Sequence, residues 1–168
     1  MIELAKGFIS LGPVLIFLAA LIFLDSYKLI TPRMIILTIL AGGGSALVSA
    51  AGNYALSSSG ALTPTAFSRY LAPLVEETAK AGFVILLFRL NRIGFMVDAA
   101  IYGFAVGAGF SLVENAVYLY RLDTGNLLVW IIRGFGTAAM HASTMAMMAV
   151  IAKNLLDRQG HLRWWVFV

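Results

Sequence analysis

The chain has 168 residues, of which 61% are hydrophobic and 12% charged, against roughly one quarter charged in soluble domains. That composition excludes a water-soluble fold, because long stretches have no polar face to turn toward water. The net charge of +4 comes from Lys and Arg scattered singly between apolar runs, which points to membrane orientation and excludes nucleic acid as a partner, while the absence of cysteine excludes disulfides, thiolate nucleophiles and Cys-ligated zinc.

Five apolar segments, at about 7–24, 34–56, 65–88, 94–119 and 126–152, reach or approach the ~20 residues that a ~30 Å hydrocarbon layer requires. They predict an all-α fold, a polytopic transmembrane helical bundle that forms a single integral membrane domain over residues 1–168. The first segment follows Lys6 but lacks a small-residue cleavage site at its end, so it reads as a retained span and not a signal peptide. In the second, Gly42, Ala46 and Ala50 recur every four residues, and in the fourth Ala99, Gly103, Gly107, Ser111 and Asn115 do the same. Such stripes predict close helix packing. After the polar stretch 153–163 a new apolar run starts at Trp164 and stops at Val168, which is either an interfacial anchor or a truncated sixth span.

Lys28, Arg33, Arg89, Arg92, Lys153, Arg158 and Arg163 fall on one side of the predicted bundle, and Lys6, Arg69 and Arg121 on the other. The richer side is cytoplasmic by the positive-inside rule, so a multi-pass protein of the cell membrane with an extracytoplasmic N-terminus is expected.

The third segment carries Glu76, Glu77 and Lys80 about halfway along an apolar helix, where a charge costs ~2.5–3.5 kcal/mol on insertion scales. Glu76 and Lys80 are four apart and can pair on one face, with Glu77 about 100° away. Self-neutralisation by that pair is the bland alternative, but it leaves Glu77 unexplained. Pro73, one turn earlier, removes a backbone donor and can bend the helix. The fourth segment sets Glu114 and Asn115 beside its small stripe, close to a boundary marked by Tyr118, Tyr120 and Arg121. The fifth carries Arg133 and, near its middle, His141, with Ser143 and Thr144 following. His161 belongs to the polar tail.

Three motifs, E-E-x-x-K from Glu76 to Lys80, F-x-x-x-E-N from Phe110 to Asn115 and R-x₇-H from Arg133 to His141, resemble in order and spacing those of the PrsW family of intramembrane proteases. The related CAAX endopeptidase and bacteriocin-processing superfamily is similar in its first motif but ends it in Arg and carries His in the second, where this chain has Lys80 and Glu114. Members of the family commonly place a polar residue about four positions after the histidine. Met145 stands there, so Ser143 or Thr144 would have to replace it.

The resemblance implies an intramembrane peptidase with Glu76, Glu77, Glu114 and His141 as catalytic residues and Lys80, Asn115 and Arg133 in support. Glu76 or Glu77 would activate water, and His141 with Asn115 would orient that water or stabilise the oxyanion. No cofactor is favoured, although Glu76, Glu114 and His141 together form a set that zinc would accept. The implied substrate is a membrane-anchored protein, such as an anti-sigma factor, cut near the surface of the lipid bilayer. Two other classes use the same residues: a proton- or cation-coupled transporter and a catalytically silent scaffold.

Overall fold

The computed structural model describes residues 2–25, 30–58, 60, 62–122 and 126–159. Lys28, His161, Arg163 and the expected anchor or sixth span at 164–168 lie outside the described residues. Every regular element among the described residues is helical. The elements are α1 (Ile2–Leu24), α2 (Pro32–Ser58), α3 (Pro64–Ala66), α4 (Ala72–Arg89), α5 (Met96–Arg121), α6 (Leu127–Ile131) and α7 (Ala138–Gln159). A π-helical turn, Phe67–Leu71, joins α3 to α4, and a second, Ile132–Thr137, joins α6 to α7. The described residues therefore form five long rods.

Local chemistry sets the rod ends. Pro32 opens α2 behind Thr31, whose hydroxyl accepts from the Met34 amide, and Pro64 opens α3 behind Thr63, which accepts from Ala66. Asp98 reaches back to the amides of Gly94 and Phe95 to start α5. Past the end of α4, Asn91 takes a left-handed φ of 53°, a conformation that asparagine tolerates. Pro73, expected to bend its helix, sits in the first turn of α4 directly after the π-helical turn, where the widened backbone accommodates its missing donor.

Helix α5 is the axis of the bundle, buried along most of its length between α7, α2 and α1. Its small stripe is what lets it sit there. A Cβ at Gly103 would overlap the Met145 carbonyl, and one at Gly107 the His141 carbonyl, so α7 lies backbone to backbone on that face. Gly109 meets Ile39 of α2, and Gly42 of α2 meets Val106 of α5 in the same manner.

Among the described residues, four helices are long and apolar enough to cross a membrane: Leu4–Phe23, Pro32–Ser58, Met96–Arg121 and Leu127–Arg158. Around them large apolar side chains such as Phe8, Phe23, Leu40 and Ile132 face outward, as a lipid solvent demands. The protein is an all-α membrane bundle. The remaining rod, α3–α4, carries Glu76, Glu77 and Lys80 at its middle, and these charges separate it from the other four.

Candidate active site

Lys80 of α4 is fully buried. Its ammonium hydrogen-bonds Glu77 Oε1 at 2.5 Å and lies 2.8 Å from Nδ1 of His141 on α7. The expected Glu76–Lys80 pair is therefore replaced by Glu77–Lys80. Positions three and four apart are both neighbours on a helix, and the contact with His141 turns the lysine toward Glu77. The Phe110 ring of α5 covers the pair, with its centroid 4.4 Å from Nζ and 5.1 Å from the imidazole centroid.

On the other side of the imidazole, Nε2 stands 3.4 Å from Glu114 Oε2, and Arg133 Nη2 stands 3.4 Å from Glu114 Oε1. Arg133 is tightly held. Its Nε donates to Asn115 Oδ1 at 2.9 Å, and its guanidinium lies 3.6 Å from the Tyr118 ring centroid. Asn115 is itself buried and gives its amide nitrogen to the Ser10 carbonyl of α1 at 2.8 Å. Both ends of Asn115 are thus occupied, one by the Ser10 carbonyl and the other by Arg133.

Glu76 points away from this chain of contacts toward α2. There Asn53 Nδ2 reaches Glu76 Oε1 at 3.5 Å. Asn53, Glu76 and Glu114 line one cavity of about 280 Å³ between α2, α4 and α5, with Phe110, Tyr118 and Arg121 among its other walls. Among the described residues, the buried side-chain atoms without a hydrogen bond are Asn53 Oδ1, Glu114 Oε2 and Arg133 Nη2. All three belong to this site. Folded proteins satisfy nearly all buried polar atoms, so three unsatisfied ones in one place set it apart from the rest of the described bundle.

Of the residues singled out in the sequence, Glu77, Lys80, His141, Glu114, Arg133 and Asn115 are linked through direct contacts, and Glu76 shares a cavity wall with Glu114. Ser143 does not join them, because it is exposed and its hydroxyl donates back to the Ala139 carbonyl. Sequence reasoning missed Asn53 and the Tyr118 platform. Asn53 carried a faint signal as an amide in an otherwise apolar segment.

A family model described as PrsW family intramembrane metalloprotease matches residues 31–168. No curated protein and no solved structure matches the chain. That description raises the question of a metal. The 3.4 Å between His141 Nε2 and Glu114 Oε2 would suit two ligands of a tetrahedral zinc with bonds of ~2.0–2.2 Å. A third donor is missing, however: Glu76, expected to complete the set, meets Asn53, Glu77 lies at the opposite ring nitrogen beside the Lys80 ammonium, and no group of three His, Asp or Glu among the described residues is arranged to hold an ion. The donors as arranged do not fit a three-ligand zinc site.

Proposed function

The chain belongs to the PrsW family and is an intramembrane protease with a protein substrate in the membrane, and we propose that it hydrolyses that substrate with a water activated by Glu76. The α3–α4 rod then crosses the bilayer as a fifth span, bringing its acids into the bundle interior. The observation that carries this reading is the cluster of unsatisfied buried atoms around a cavity shared by Glu76 and Glu114.

In the proposed reaction Glu76 takes a proton from a cavity water as its oxygen bonds the scissile carbonyl carbon. Of the two acids in α4, Glu76 suits this role because Glu77 is already committed to Lys80. Negative charge then grows on the carbonyl oxygen. Arg133 Nη2 and His141 Nε2, each 3.4 Å from a Glu114 oxygen, are donors whose resting contacts are longer than the ~2.7–2.9 Å of a charge-assisted hydrogen bond. They stabilise the oxyanion, while Glu77 and Lys80 fix the ring from behind. Glu76 next gives its proton to the amide nitrogen, the C–N bond breaks, and a carboxylic acid and an amine leave. A membrane-anchored substrate of the anti-sigma-factor kind, cut at its outer membrane boundary, suits this site.

The test is reconstitution of the full chain in liposomes with a library of single-pass proteins, reading new chain ends by mass spectrometry. Glu76→Gln should lower the rate of every cut by ~10²–10⁴, the usual contribution of a general base. Cuts that survive Glu76→Gln would overturn this role for Glu76, whereas cuts that vanish on chelation and return with zinc would show that a metal shares in activating the water.

A further inference from the structure

We infer that Asn53 is a catalytic residue that holds the attacking water together with Glu76, an inference that rests on Glu76 as the base. Asn53 lies on α2, outside the three motifs that carry the family resemblance, and reaches the site only because the bundle folds.

The two ends of an amide are distinct. Glu76 in its ionised form only accepts hydrogen bonds, so the amide must turn Nδ2 toward it, as the 3.5 Å contact has it. Oδ1 is then the end left over, and it is a buried acceptor with no hydrogen-bond partner. An unused acceptor in a cavity wall beside a carboxylate is a seat for a donor. At 3.5 Å the Asn53–Glu76 contact is a long hydrogen bond, which fixes which end of the amide faces the carboxylate and leaves Oδ1 for another donor. The cavity, at about 280 Å³, has ample room for a water as that donor.

A water has two hydrogens and needs a free lone pair to attack. Glu76 accepts one hydrogen and removes it during the reaction. Asn53 Oδ1 accepts the other, which stays on the oxygen and becomes the hydroxyl hydrogen of the tetrahedral intermediate. With both hydrogens held, the lone pair is aimed away from the two side chains and toward the substrate. A water held by Glu76 alone would rotate about a single hydrogen bond, and such loss of orientation costs ~10²-fold in rate.

Two measurements on the reconstituted full chain test this. Radiolytic hydroxyl labelling in H₂¹⁸O reports water beside buried rings, and the Phe110 ring, which is 2% exposed, lines the cavity. Asn53→Leu should reduce Phe110 labelling severalfold, whereas Glu76→Gln, which keeps an acceptor in place, should leave it near the wild-type rate. On any substrate found in the liposome screen, Asn53→Leu should lower kcat by ~10² with KM little changed, and Asn53→Gln should recover part of the loss. Should Asn53→Leu fail to fold, Asn53→Ala carries the same kinetic test. Unchanged Phe110 labelling, or a raised KM at constant kcat, overturns the role of Asn53 while leaving Glu76 as the base. Full turnover by Glu76→Gln instead overturns the reading of Glu76, and the water-holding role with it.

Discussion

The Lys80 ammonium stands 2.8 Å from Nδ1 of His141, a residue 61 positions further along the chain. An ammonium has donors only, so Nδ1 must be the acceptor and the proton of the neutral ring must sit on Nε2, facing Glu114. The buried lysine thereby selects the tautomer that presents an N–H to the cavity side. Selective ¹⁵N labelling should show a pyridine-like Nδ1 and a pyrrole-like Nε2 for His141, and Lys80→Met should abolish that preference. A pyrrole-like Nδ1 in the wild type would contradict the arrangement.

Because Lys80 serves Glu77 and His141 at once, single substitutions there should be strongly non-additive. Lys80→Met leaves Glu77 beside an apolar side chain, and Glu77→Leu leaves a fully buried ammonium without its carboxylate. Each should abolish turnover and lower thermal stability in detergent. The double variant should recover stability, with a coupling energy of ~1–3 kcal/mol in a double-mutant cycle. A Glu77→Leu variant with full turnover would remove Glu77 from the site.

The helices were largely legible in the sequence, because spans and apolar segments are set by the same ~30 Å of hydrocarbon. The small stripe of α5 was equally legible, since a four-residue spacing places Gly103 and Gly107 on one face whatever packs there. What packs there was not, nor was the partner of Lys80. Helical spacing allowed Glu76 and Glu77 alike, and the choice was made by His141 from another helix. Asn115 was expected in a supporting role because it follows Glu114 in a motif, but its partners were not legible. Its two bonds, to Ser10 and Arg133, depend on α1 and the second π-helical turn, whose approach no local pattern encodes.

Gly107 and Gly44 should respond oppositely to alanine. At Gly107 the added methyl would overlap the His141 carbonyl, so α7 must move and carry the imidazole with it. Overpacking of this kind costs ~1–3 kcal/mol, and the displaced ring should also lose turnover. At Gly44 nothing lies within 4 Å of the new atom, and the better helix propensity of alanine should raise stability by up to ~1 kcal/mol. Thermal melts of the two variants check both signs, and a Gly107→Ala protein as stable as the wild type would show that the helices are less closely packed than described.

Water should enter the cavity from the extracytoplasmic side of the membrane. The cavity is walled by the second half of α2, by Glu76 of α4 and by the second half of α5 up to Arg121. These parts lie toward the connections that follow Ser58 and Arg121, the end of the bundle that carries Lys6, Arg69 and Arg121. The opposite end carries Arg33, Arg89, Arg92, Lys153 and Arg158, and the positive-inside rule assigns that end to the cytoplasm. The cavity should therefore open outward, which agrees with a substrate cut at its outer membrane boundary. Native cysteine is absent, so single introduced cysteines report without background. Cysteines at Ser58, Val117 and Arg121 should react with a membrane-impermeant thiol reagent added outside, and a cysteine at Arg92 only with reagent on the cytoplasmic side. Prior reaction with the substrate-cavity pair Val117 and Arg121 should also block turnover, since a modified side chain there occludes the wall that Glu76 and Glu114 share. Labelling of Ser58 and Arg121 from the cytoplasmic side alone would invert the topology, place the N-terminus inside, and move the cut to the inner boundary of the substrate.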